Sequence, residues 1–382
     1  MTITESPKPL QMVDLKGQYK KIKKEVDTAI KTCIDSTTFI GGSQVALFQQ
    51  HLEQYLNIKH VIPCANGTDA LQIALMVLDL QPGDEVIVPA FTYVATAEVI
   101  ALLKLKPIMV DVDPKTFNIT AKIIEKALTP RTKAIVPVHL FGQSCDMEPI
   151  LALAKKHSLY IVEDNAQAIG ADYTFKNGEK AKTGTIGDIG CTSFFPSKNL
   201  GCYGDGGALM TNNDDLAQKI RIIANHGQVV RYYHDFVGVN SRLDALQAGI
   251  LDVKLKHLDK YSASRRKAAG YYDKAFKHIE GLEIPKRQSN STHVFHQYTL
   301  KVKHGQREAL QKHLQEMGVP SMIYYPVPLY KQKAFAAYWE GGQLPVTEQL
   351  CEEVLSLPMH TELNRETLDM IVKAVQSFFK HK

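Results

Sequence analysis

Residues 83–111 read GDEVIVPAFTYVATAEVIALLKLKPIMVD, and this stretch decides the class of fold. It holds two short apolar runs, Glu85–Pro89 and residues 107–111, with a helical stretch at 96–105 between them. A continuous apolar run, without alternation, suits a strand covered on both faces. Strand, helix and second strand of that kind form the β-α-β unit of a parallel sheet.

The same grammar extends in both directions. Residues 134–138 (AIVPV) and Tyr160–Asp164 (YIVED) read as further buried strands. Residues 69–78, 121–128 and 146–157 read as helices. The first carries Leu71, Ala74, Leu75 and Leu78 on one stripe, and Thr68 precedes it as an N-cap. Gln81-Pro82-Gly83 and Thr129-Pro130 punctuate the pattern. After about residue 213 the texture changes. Helices are expected at Asp214–Ala224, 243–258, 307–318, 347–354 and Arg365–Lys380, with strands at 294–302 and 322–325. The expected division is a large α/β unit over residues 1–255 and a smaller α+β unit over 256–382.

Composition narrows the function. The chain has 382 residues, 45% hydrophobic and 22% charged, which is the balance of a globular protein. Lys+Arg 45 against Asp+Glu 40 leaves +5, with no block of like charge. Lys20–Lys24 and Arg265–Lys267 read as solvated helix faces, and a nucleic-acid footprint needs a denser stripe. The first thirty residues hold no apolar core of a signal peptide, and no run approaches a membrane span, so a cytoplasmic chain is expected. Six scattered cysteines without a C-x-x-C pair suit reduced thiols rather than disulfides or zinc.

Four constellations carry chemistry. Asn66-Gly67-Thr68-Asp69 opens a helix, where free N–H groups and the Thr68 hydroxyl make a seat for an anion; an ordinary capped helix is the alternative. Glu163-Asp164-Asn165-Ala166-Gln167 places carboxylates at the C-terminal end of a strand, the edge where open α/β sheets bind ligands. There a carboxylate holds a cationic ring nitrogen or a metal, or caps the next helix. Ser193-Phe194-Phe195-Pro196-Ser197-Lys198 leads into Gly201, Gly204, Gly206 and Gly207. A lysine between aromatic walls and a glycine run suits an amine nucleophile, and otherwise is simply solvated. Asn225-His226-Gly227 and Gly238-Val239-Asn240-Ser241-Arg242-Leu243-Asp244 precede a long helix that Ser241 or Asp244 caps. His293 and His296 lack a third metal ligand and are expected to face solvent or to be hydrogen-bonded. The glycine fingerprints of nicotinamide and nucleoside-triphosphate sites are missing.

In order, N-G-T-D-A-L, F-T-Y-V-A-T, V-E-D-x-A-Q, S-F-F-P-S-K-x-L-G, H-G, G-x-N-x-R-L-D and Y-P-x-P-L resemble the nucleotide-sugar aminotransferases of the DegT/DnrJ/EryC1/StrS type, from about Met12 onward. The resemblance implies the aspartate-aminotransferase (type I) fold, with a large mixed or parallel sheet domain and a smaller C-terminal α+β domain. It implies pyridoxal 5′-phosphate (PLP, or its amine form PMP) as cofactor. By motif, Lys198 matches the Schiff-base lysine and Asp164 the partner of the pyridine nitrogen. Gln167 matches the neighbour of the phenolic oxygen, and Tyr93 the aromatic over the ring. Gly67, Thr68 and Ser193 match the phosphate seat, with Asn240 donated by a second subunit of a homodimer. His226, Arg231, Arg242, Tyr324 and Tyr325 fall on the substrate side. Many members have His-Tyr-Pro where this chain has Tyr324-Tyr325-Pro326.

Within the family, CTSFFPSKNLGCYGDGGA and the HGQ…GVNSRLDALQA pattern look most like the branch that aminates C3 of UDP-2-acetamido-2-deoxy-3-oxo-glucuronate. Glutamate is the expected amino donor, and surface polysaccharide such as O-antigen the expected destination. A dTDP-3-oxo- or 4-oxo-6-deoxyhexose, or a GDP-sugar, is the alternative substrate. A sugar dehydratase on this fold has histidine in place of the lysine, and Lys198 argues against it. The other classes are a nicotinamide-dependent sugar oxidoreductase and a regulator that binds cofactor without turnover.

Overall fold

The computed structural model describes residues 10–380. Residues 1–9 and 381–382, which include the first residues of the stretch read for a signal peptide and both ends of the expected two-unit division, lie outside the described residues.

Seven strands form the main sheet. Across it run His60–Cys64, Gly207–Thr211, Ile189–Ser193, Tyr160–Asp164, Thr132–Ile135, Glu85–Pro89 and Lys106–Val110. The last five pair in parallel, and only Gly207–Thr211 runs against its neighbours. Helices cover both faces, as the apolar runs require. Val86 and Val88 enter one core cluster and Ile87 the other; Val162 and Ile161 divide the same way. Each fully buried side chain of this size stabilises by about 1.5–3 kcal/mol, so covering both faces is what holds the sheet.

The parallel direction brings the C-terminal ends of six strands to one edge. Asp164 ends one of them and Ser193 its neighbour. Gly207, the first residue of the antiparallel strand, lies opposite both Ser193 and Cys64. The two glycines there fit no larger residue. A Cβ on Gly67 falls 2.6 Å from the Ser193 Cβ, and one on Gly207 falls 2.4 Å from the Asn66 carbonyl carbon.

The C-terminal part builds its own three-stranded antiparallel sheet from Leu282–Glu283, Tyr298–Val302 and Val354–Leu357. Helices Leu258–Phe276, Arg307–Glu316 and Arg365–Lys380 pack on it. Residues 329–354 return to the first body: Leu329, Tyr330 and Phe335 join one of its clusters, and Leu350, Cys351 and Val354 the other.

Several expectations shift. The helix expected at 69–78 runs Gly67–Met76, because Asn66 rather than Thr68 is the cap; its side chain accepts the Asp69 N–H at 2.8 Å. The helix expected at 243–258 runs Ala245–Leu255, and a second, unexpected helix, Leu258–Phe276, follows it. Residues 322–325 form no strand and touch the sheet only through a bridge between Met322 and Ser356. His293 and His296 are both buried, and of the two alternatives His293 takes the hydrogen-bonded one. The His293 Nδ1 accepts the Phe295 N–H at 3.0 Å, and burial pushes its imidazole down to about 3. Among the described residues, no helix is long and apolar enough to cross a membrane.

Candidate active site

Strand alternation gives Glu163 and Asp164 opposite tasks. Glu163 points into the core. It accepts Nε2–H of His139 at 2.7 Å and the N–H groups of Gly184, Ile186 and Gly187 at 2.9, 2.6 and 2.7 Å. Burial alone raises such a carboxyl, but His139 and these N–H groups reverse the effect and leave it lowered. The His139 Nδ1 accepts the Cys145 N–H, so the ring proton sits on Nε2 and the imidazole is neutral. This pair locks the 184–187 loop and the residues before the strand end.

Asp164 points to the ligand edge. Its Oδ1 accepts the Ala166 N–H at 3.1 Å, and its Oδ2 accepts the Thr96 hydroxyl at 2.8 Å. Burial raises its carboxyl above the usual range; Thr96, the Ala166 N–H and the charge of Lys198 pull the other way. The Lys198 amine is pushed down to about 8 by burial, against the opposing pull of Asp164. A lysine poised there is neutral for an appreciable fraction of the time near neutral pH, as a nucleophile and proton carrier needs.

The loop that carries Lys198 is held at several points. Its N–H donates to the Phe195 carbonyl at 2.9 Å. Gly201 is pressed against the carbonyl oxygens of Pro196 and Phe195, at 2.4 and 2.7 Å from where a Cβ falls. The buried Lys254 amine donates to the Gly201 carbonyl, and Asn199 donates to the Val294 carbonyl at 3.0 Å.

Gln167 is fixed in orientation. Its Oε1 accepts the Phe141 N–H at 2.8 Å, so its Nε2 donates to the Tyr325 hydroxyl at 3.0 Å. The Tyr325 ring lies 6.1 Å from Phe91, 6.2 Å from Tyr93 and 6.1 Å from Tyr324. Tyr93 is 57% exposed, a free aromatic face at the mouth of the site. Beside it stands the anion seat. The N–H groups of Gly67 and Thr68 open their helix, where no carbonyl of that helix reaches them. Among the described residues the Thr68 hydroxyl has no hydrogen-bond partner.

The structure therefore gathers Lys198, Asp164, Gln167, Tyr93, Tyr324 and Tyr325 around one edge, with Gly67 packed against Ser193 nearby and Thr68 next to Gly67 in the chain. It does not bring His226, Arg231, Asn240 or Arg242 to them. All four are exposed on the segment from Asn225 to Arg242. Arg231 lies over the Tyr232 ring at 5.1 Å, and Arg242 donates to Asn225 at 3.3 Å. The segment is tied to its own chain by Ser241, whose hydroxyl accepts the Ala65 N–H at 3.0 Å. Sequence reasoning missed three contributors: Thr96, His139 and Lys254. Thr96 left a trace as the last residue of F-T-Y-V-A-T, and the partner of His139, Glu163, stands in V-E-D-x-A-Q.

Comparison with known proteins adds a history to this geometry. Residues 20–376 match the model of the DegT/DnrJ/EryC1/StrS aminotransferase family. A pleiotropic regulatory protein of Geobacillus stearothermophilus is 46% identical over 97% of this chain and 98% of its own. The UDP-2-acetamido-2-deoxy-3-oxo-D-glucuronate aminotransferase of Pseudomonas aeruginosa is also 46% identical, over 96% of this chain and 99% of its own. The crystal structure of NtdA from Bacillus subtilis with bound PMP superposes with a TM-score of 0.90 at 30% identity, covering 99% of this chain and 86% of that one.

Proposed function

Because the chain belongs to the DegT/DnrJ/EryC1/StrS aminotransferase family, we propose that it moves an amino group from glutamate to C3 of UDP-2-acetamido-2-deoxy-3-oxo-glucuronate. The broader activity is that of a PLP-dependent nucleotide-sugar aminotransferase. The arrangement that carries the reading is the pair at the sheet edge: the half-buried Lys198, its amine pushed down, and the buried Asp164, its carboxyl pushed up, each within the other's field.

The residues fit the cofactor. Its phosphate suits the unpartnered N–H groups of Gly67 and Thr68 and the neighbouring Ser193. Its ring suits the exposed face of Tyr93, and its nitrogen suits Asp164. When bound, PLP supplies an electron sink for the bonds of the amine it holds. Lys198 would hold it through its amine, and that amine, when free, would serve as the base that moves a proton at the donor's Cα. Asp164, charged, would pair with the pyridine nitrogen and so favour its protonated form. Gln167, by motif the neighbour of the phenolic oxygen, holds the Tyr325 hydroxyl at 3.0 Å, and Tyr325 keeps its own O–H proton to donate.

We place the working unit as a homodimer. The hairpin Gln228–Val230 and Tyr233–His234 and the residues after it expose Tyr232 at 76%, Tyr233 at 70% and Val237 at 89%, apolar surface of the kind that marks an interface. Across such an interface Asn240 reaches the partner's phosphate seat, and Arg231 and Arg242 the partner's sugar pocket. A C6 carboxylate there suits an arginine fork. The division into domains 1–255 and 256–382, a cytoplasmic location and a role in surface polysaccharide such as O-antigen complete the proposal.

The test is product analysis after incubation with glutamate and a panel of UDP-, dTDP- and GDP-linked keto-sugars. Amination of the UDP-3-oxo-glucuronate is expected. Turnover only on a neutral 3-oxo sugar, or only on a dTDP-linked deoxyhexose, overturns the substrate and leaves the aminotransferase standing. Cofactor binding without turnover on any sugar supports a regulator instead.

A further inference from the structure

Asp164 receives its buried hydroxyl contact from a short hydroxyl chain. The Thr96 Oγ1 lies 2.8 Å from the Asp164 Oδ2, and the Thr92 Oγ1 lies 3.4 Å from the Thr96 Oγ1. Both threonines are buried, 2% and 1% exposed. An ionised carboxylate only accepts, so Thr96 donates to Asp164, and Thr92 is left to donate to Thr96. Residues 92 and 96 flank Tyr93, and Tyr93 and Thr96 are three apart at the start of the helix Ala95–Leu102. One turn thus presents both the exposed ring and the hydroxyl bound to the carboxylate.

We infer that Thr96, backed by Thr92, is a positioning residue that aims Asp164 and ties it to the turn bearing Tyr93, so that the carboxylate and the aromatic ring move as one. The inference rests on the reading of Asp164 as partner of the pyridine nitrogen. A hydrogen bond to a charged acceptor in a buried site is among the stronger ones, and it favours the ionised form. Without the hydroxyl, Asp164 holds its charge less firmly and is free to rotate about its remaining Ala166 contact. The ring nitrogen is then less protonated and the ring withdraws electrons less. The nitrogen that links Lys198 to the cofactor holds its proton to higher pH.

The experiment compares wild type, Thr96→Val, Thr96→Ser, Thr92→Val and Asp164→Asn as holoenzymes. The readouts are the pH midpoint of the visible band and the release of cofactor on dilution. In Thr96→Val the midpoint should rise, in the direction of Asp164→Asn but less far, and cofactor should be held about tenfold more weakly, at the lower end for a hydrogen bond to charge. Thr96→Ser should restore both, and Thr92→Val should show a smaller shift of the same sign. If Thr96→Val fails to fold, Thr96→Cys, a smaller side chain with a weaker donor, is read in the same way. Unchanged midpoint and retention in Thr96→Val or Thr96→Cys overturn the inference, as does a Thr96→Ser that fails to rescue. Failure of the underlying reading looks different: wild type then forms no borohydride-reducible adduct that Lys198→Ala abolishes.

Discussion

Two regions of this chain hold the proposed site residues, and they are built on opposite terms. At the sheet edge Asp164, Gln167 and the Lys198 loop are packed and cross-bonded, and both oxygens of Asp164 are spoken for. From Asn225 to Arg242 the chain is an exposed hairpin, with His226, Arg231, Asn240 and Arg242 in the open and tyrosines and valines facing outward. A two-stranded ribbon of this size gains little by itself. The first region is finished within one chain. The second presents exposed apolar and charged side chains that suit another surface, and the homodimer we propose supplies one.

The sharpest break of that contrast is complementation. Lys198→Ala and Asn240→Ala are each expected to lack turnover, since one removes the anchor and the other a phosphate contact. Mixed and re-equilibrated, they should recover about a quarter of wild-type activity, because half of the dimers are mixed and each holds one intact site. No recovery, with a monomeric mass by light scattering, places Asn240 in its own chain's site and removes the contrast.

Next in size is Asp164→Asn. It keeps the shape of the buried edge and removes the charge, which should lower kcat by about 10²-fold or more, the scale for removing one preorganised electrostatic contact. Steady-state rates with an unchanged visible spectrum and near-normal turnover break the assignment.

The two regions also differ in how legible they were. The apolar runs at Glu85–Pro89 and Tyr160–Asp164 announce buried strands because nothing else tolerates such sequence, and the strand ends then locate Asp164 without a structure. The proline turn and glycine run isolate Lys198, and the close approaches at Gly67, Gly201 and Gly207 give the physical reason. The helix Leu258–Phe276 was illegible because its buried face is Tyr261, Arg265, Tyr272 and Phe276 among charges rather than an aliphatic stripe. Arg265 spends Nη1 on the carbonyls of Phe295, His296 and Met359, a use no periodicity reveals. His296 escaped for a similar reason: burial of a histidine depends on packing between distant segments. Along this segment the arginines and Asn240 were readable only through the family pattern, since within one chain they are exposed and meet only neighbours of their own segment.

A third test works on the exposed region alone. Arg231→Ala or Arg242→Ala should lower kcat/KM for the uronate by about 1.5–3 kcal/mol, the range for a hydrogen bond to charge. The neutral 6-hydroxy analogue should suffer far less. Equal losses on the two sugars reject the carboxylate role, while leaving the sheet edge untouched.

The smallest expected effect belongs to the buried region and needs no substrate. The Lys198 amine is lowered from 10.5 to about 8, chiefly by burial. Below about pH 8 the amine is charged in the folded and the unfolded chain alike, and the folded state carries the full desolvation cost. Between about pH 8 and the ordinary lysine value the folded chain releases the proton while the unfolded chain keeps it. The unfolded state then binds more protons, so stability rises with pH across that window. Lys254, also lowered to about 8 by burial, adds a slope of the same sign. In cofactor-free enzyme, Lys198→Met should therefore flatten the rise without abolishing it. The flattening should be on the order of 1 kcal/mol, after discounting the full shift for the partial exposure of Lys198. Urea unfolding of both proteins between about pH 7 and pH 10 measures it. Parallel profiles for wild type and Lys198→Met mean that the amine is solvated before cofactor arrives, and the finished character of the sheet edge is then a property of the holoenzyme rather than of the chain.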